Sequence, residues 1–123
     1  MINDITPGFT FLSSTPEYNT KHLFIVISIT DDNTKALCVN VTTKKDRDMS
    51  CILKVGDHEF VKHDSVINYG DVIIPKIDKL IEAINKGLME QNKPIDDDLL
   101  NKIINGAKSS NAFPQGFLKH LPQ

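Results

Sequence analysis

The sequence predicts an α+β protein in which a small antiparallel β-barrel comes first and helices follow. Two observations carry this expectation. Up to Pro75, short β-branched runs alternate with polar turns at a spacing of about ten residues, the pattern of a small barrel or sandwich. From Pro75 onward the apolar period lengthens to that of a helix. A length of 123 residues fits one domain, residues 1–123, with a barrel over 1–74 and a helical extension over 75–123 packed on it.

The elements follow in order. Gly8–Leu12, "GFTFL", is a short strand. His22–Thr30 is rich in Ile and Val without alternation, so it reads as a core strand buried on both faces. Asp31–Asn33 is a tight turn, because short polar side chains tolerate left-handed backbone. Lys35–Thr43 returns as the second arm of an antiparallel hairpin. Lys44–Asp48 is a solvated loop, Met49–Val55 a strand and Gly56-Asp57 a turn. Phe60–Tyr69 is extended with a break near Asp64, and Asp71–Pro75 closes the series. Ile77, Leu80, Ile81, Ile84 and Leu88 then form one apolar stripe of a helix, with Pro75 in its first turn, where a missing N–H costs nothing. "QNKPID" is a link. Asp96, Asp97 and Asp98 start the next helix, where carboxylates cap free N–H groups. Its buried face is Leu99, Leu100, Ile103, Ile104 and Ala107, and "KSSNA" is loop. "PQGFLKHL" is a last short helix with Phe117, Leu118 and Leu121 inward.

Composition narrows the classes. The net charge of −2 argues against strong non-specific nucleic-acid binding, although Lys44, Lys45 and Arg47 make one local basic site. Two cysteines, Cys38 and Cys51, are too few for a disulfide framework and read as reduced, buried small hydrophobes. The first residues lack the basic and apolar regions of a signal peptide. The longest apolar run, "LFIVISI", is far too short for a membrane span. These features predict a soluble, cytoplasmic protein with no membrane partner and no cofactor.

Chemistry concentrates in "GDHEFVKHDS". His58 and His63 can give or take protons near neutrality. Their odd spacing puts them on opposite faces of one uninterrupted strand, and only a bulge or bend brings them to one atom. The plainer reading makes His58 a turn residue and His63 a solvated strand residue. "HDS" is not a hydrolase triad, since three consecutive extended residues do not converge. Ser65 is instead a phosphate-orienting or backbone-bonding hydroxyl. Cys51, Asp57, His58 and His63 are zinc-compatible types, but their spacing matches no zinc motif, so no metal is expected. Thr42 and Thr43 end a strand, where hydroxyls bind phosphate or simply suit a sheet edge.

The segment order resembles the MazF/PemK-like group of toxin-type proteins over about residues 7–87. The resemblance rests on Pro7-Gly8, "KHLFIVIS" (Lys21–Ser28), "ALCVNVTT" (Ala36–Thr43) and "HDSVINYGDVI" (His63–Ile73) ahead of a helix. It implies an SH3-like barrel, often a homodimer, that cuts single-stranded RNA without a metal and is blocked by an antitoxin protein. The family's active-site arginine falls on Lys21 and its strand-end hydroxyl on Thr43 or Thr42. Lysine supplies a point charge in place of a bidentate clamp, and His22 stands where the family has proline. Within this expectation His58, at an exposed rim, is the first choice for proton transfer and His63 the second. Lys21 or Lys62 steadies the phosphate. Two other readings compete: a non-catalytic module on the same barrel that binds a protein, peptide or nucleic acid, and a C-terminal helical pair that serves as an interaction surface.

Overall fold

Among the described residues six strands build one antiparallel sheet, and a helix covers each of its faces. The computed structural model describes residues 1–14, 21–43 and 48–122. The strands are β1 (Thr10–Ser14), β2 (Lys21–Ile29), β3 (Ala36–Thr43), β4 (Ile52–Leu53), β5 (Ser65–Ile73) and β6 (Glu90–Asn92). The helices are α1 (Ile77–Asn85) and α2 (Asp97–Ser109), and a 3-10 turn spans Gln115–His120. The strand order is β4-β5-β3-β2-β1-β6. The α+β class therefore holds. Among the described residues the sheet is open, with β4 and β6 at its two ends.

The apolar run of β2 is buried on both faces, as its lack of alternation predicts. Leu23 and Ile25 join the cluster under α2, while Phe24 and Val26 join the cluster under α1. A bulge after Val26 shifts the pairing with β3. Ile27 continues the α2-side face of Leu23 and Ile25, and the next residue, Ser28, donates its hydroxyl to the carbonyl of His120. The turn after β2 forms as expected. Thr30 N–H donates to Lys35 O at 3.0 Å, and Asn33 takes the left-handed conformation at φ 61°.

The start of α2 was legible. Asp96 caps α2, accepting from Leu99 N–H at 2.8 Å. Leu99, Ile103, Ile104 and Ala107 are buried against the sheet and Leu100 partly so. Leu80 is buried on the other face with Ile77, Ile81 and Ile84 partly buried around it. The α2 stripe is thus taken up by the core, while the α1 stripe buries Leu80 and covers Ile77, Ile81 and Ile84 in part. Cys38 and Cys51 are buried in different clusters and are free thiols. Burial raises both, Cys38 to about 12.

Several expectations are corrected. Pro75 precedes the cap residue Lys76 instead of entering the first turn, and its carbonyl accepts from Ala36 N–H at 3.0 Å. Leu88 lies past the end of α1 and is 76% exposed, because Gly87 turns the chain at φ 79°. Met49–Val55 shortens to β4, while "SVINY" and "DVI" merge into β5. The "QNKPID" link contains part of β6, which pairs with β1 through Thr10↔Asn92, Phe11↔Gln91 and Leu12↔Glu90. Leu118 is exposed, whereas Leu121 is buried. The loop expected over residues 44–48 lies outside the described residues except for Asp48.

Candidate functional site

Antiparallel register brings the chemistry-bearing segments to one end of the sheet. Lys21 opens β2, while Thr42 and Thr43 close β3. The β3–β5 ladder pairs Thr43 with Ser65 and Thr42 with Val66. Residues 60–63 enter just before β5, so they arrive beside the same strand ends. A cavity of about 260 Å³ lies there, and Lys21, Thr42, Thr43, Lys62, His63 and Ser65 all line it. Six of the seven residues nominated from sequence therefore meet around one space.

The central contact is between Thr43 Oγ1 and His63 Nε2, 3.1 Å apart. The imidazole tautomer decides which of the two donates. His63 and Thr43 are exposed at the mouth. Ser65 is 5% exposed, and its hydroxyl donates to the His63 carbonyl at 3.0 Å. It shapes the turn that presents His63, with its proton committed to that bond. Lys21 and Lys62 contribute two ammonium groups, and the described lining contains no carboxylate. Lys21 meets Glu90 at 3.6 Å from outside the cavity, with both side chains more than 60% exposed. Such a pair is worth about 0–1 kcal/mol and leaves the ammonium available to an anion.

His58 does not belong to this site. The exposed rim position expected for it is corrected: the residue is 5% exposed. Its Nδ1 accepts from Phe60 N–H at 3.0 Å, so Nε2 carries the proton and donates to Lys93 O at 2.7 Å. That carbonyl also accepts from Thr10 Oγ1 at 2.7 Å. The ring is a neutral clip joining the 57–61 turn to the segment after β6. A bend, not a continuous strand, separates it from His63, and the two histidines do not share a reactive atom.

The lining residues not nominated from sequence include two with ring side chains, His22 and Phe60. His22 was noted only where it replaces a proline, and its Nδ1 lies 3.4 Å from Val41 O. Phe60 is partly buried against the core and lines the cavity. An isolated aromatic in a polar segment was the available signal for it. Among the described residues no three His, Cys, Asp or Glu side chains converge as a metal site, so Cys51, Asp57, His58 and His63 do not assemble into one. Among the described residues no helix is long and apolar enough to cross a membrane. No family model, curated protein or solved structure matches the chain.

Proposed function

We propose that the protein is a toxin-like, metal-independent endoribonuclease acting on single-stranded RNA at the cavity between Thr43 and His63. The observation that carries the reading is the Thr43–His63 contact, flanked by two lysines in a carboxylate-free lining. In this mechanism a ribose hydroxyl attacks the adjacent phosphorus. The new O–P bond forms as the bond to the next ribose oxygen breaks. His63 moves the proton between attacking and leaving oxygens, by direct transfer or in two steps. Thr43 donates to a non-bridging phosphate oxygen, and Lys21 and Lys62 offset the charge that develops there. Thr42 and Ser65 hold the strand end and the His63 turn. The SH3-like barrel, a homodimeric state and an antitoxin partner belong to the same reading and come from the MazF/PemK-like resemblance.

The second reading is a non-catalytic module that binds nucleic acid or a peptide on the same surface. The net charge of −2 favours its peptide-binding form slightly. Cleavage of a mixed single-stranded RNA pool, with and without chelator, separates the two. The nuclease reading expects cleavage that survives chelation and falls at least about 100-fold in His63→Ala, with Tm unchanged. Cleavage retained in His63→Ala, or absent from folded wild type, sinks it.

A further inference from the structure

We propose that Phe60 is a stacking platform for one unpaired nucleobase next to the phosphate held at Thr43 and His63, an inference that rests on the nucleic-acid reading of that cavity. Phe60 is partly buried, and it lines the cavity beside Lys62 and His63. None of the ring–ring pairs among the described residues includes it, so no other aromatic ring of those residues stacks on it. The cavity, about 260 Å³, is just below the roughly 300–1,000 Å³ of pockets that take drug-sized ligands. A single nucleotide unit suits that scale, with the rest of the strand running outside.

The backbone under the ring is fixed in advance. Phe60 N–H donates to His58 Nδ1 at 3.0 Å, and Val61 N–H donates to His58 O at 2.9 Å. His58 is in turn anchored to Lys93 O. An aromatic ring on a pinned turn loses little conformational freedom on binding. Beside two ammonium groups it makes a site for a planar π-system joined to an anion, which is the chemistry of a nucleotide. Every base presents a π-face, so stacking discriminates base from no base more than one base from another. His58 acquires a role here as well: it positions the ring that meets the ligand.

The chain has no tryptophan, so Phe60→Trp places a single reporter in the cavity. The probes are a dinucleotide made uncleavable by methylated ribose hydroxyls and the same molecule with one base removed. Quenching of the introduced indole's emission by the base-bearing probe is expected. Wild type should bind that probe at least about fivefold more tightly than the abasic one. In Phe60→Leu, which keeps apolar bulk, this ratio should fall toward one, with Tm confirming the fold. Equal binding of both probes by wild type overturns the stacking platform alone. Binding of neither by folded protein overturns it together with the nucleic-acid reading.

Discussion

Gly106 sits inside α2 where no side chain fits, and replacing it with alanine tests the packing of α2 on the sheet. A Cβ built there would overlap Tyr69 Oη and lie 3.0 Å from both Cys51 Cβ and Ser50 O. Alanine improves helix propensity by about 1 kcal/mol. Overpacking a rigid site costs about 1–3 kcal/mol. The phenol must also move, which disturbs its 2.6 Å bond to Ile103 O, worth about 1 kcal/mol. Buried as it is, Tyr69 titrates well above the usual phenol range, so the neutral hydroxyl is the group that must shift. The balance is a net destabilisation of about 1–3 kcal/mol for Gly106→Ala, read as a lower midpoint in urea. Tyr69→Phe removes the atom behind the closest contact. In that background Gly106→Ala should cost at least about 1 kcal/mol less, a coupling a double-mutant cycle resolves. Additive effects, or a Gly106→Ala protein as stable as wild type, would refute this packing.

Two further outcomes are expected. Asp32 is held down to about 2 by hydrogen bonds from the Thr30 and Thr34 hydroxyls and the Thr34 N–H. Burial raises Asp48, but bonds from Ser110 and Ser50 outweigh it and leave that carboxyl lowered. Depressed carboxyls stabilise the fold above the ordinary range near 3.9 and stop doing so as pH falls through their folded values. Tm should therefore hold steady above about pH 5 and fall between about 4 and 2, with a shallower acid limb in Asp32→Asn. An identical limb in that variant would exclude Asp32 as a contributor. His58→Ala strips a buried, doubly bonded ring and should lower stability by about 2–4 kcal/mol, while His63→Ala, at the surface, should stay within about 0.5 kcal/mol. Denaturant titration of both proteins checks the contrast, and equal losses would contradict it.

What could be read from the sequence followed the strength of local signals. The β2 run, the Asp96 cap and the α2 stripe depend on residues close in the chain, and all three were legible. Lys21 and Thr43 were nominated through the resemblance and His63 for its chemistry; it is the strand register that brings them together. The strand β6 was not legible: "EQN" has no β-branched residue and becomes a strand only because β1 offers it a ladder. His58 was misplaced for a related reason. A histidine beside Gly56-Asp57 suggests solvent, yet its burial is fixed by the carbonyl of Lys93, 35 residues away. Local chemistry announces which residues are polar; only the tertiary pairing decides which of them face water.

The pairing of β6 with β1 also sets a schedule. Thr10 is made early, and the Lys93 carbonyl that its hydroxyl meets, just past its ladder partner Asn92, arrives 83 residues later. At roughly 5–20 residues per second, the first strand waits for seconds on the ribosome with one edge bare. Ile95 N–H then closes on Gly8 O at 3.0 Å, and α2 begins at once to cover the exposed face of the sheet. Until those late residues emerge, the nascent chain carries an open template for pairing with its neighbours. The arrival of β6 replaces the long bare edge of β1 with one only three residues in length, a poorer template.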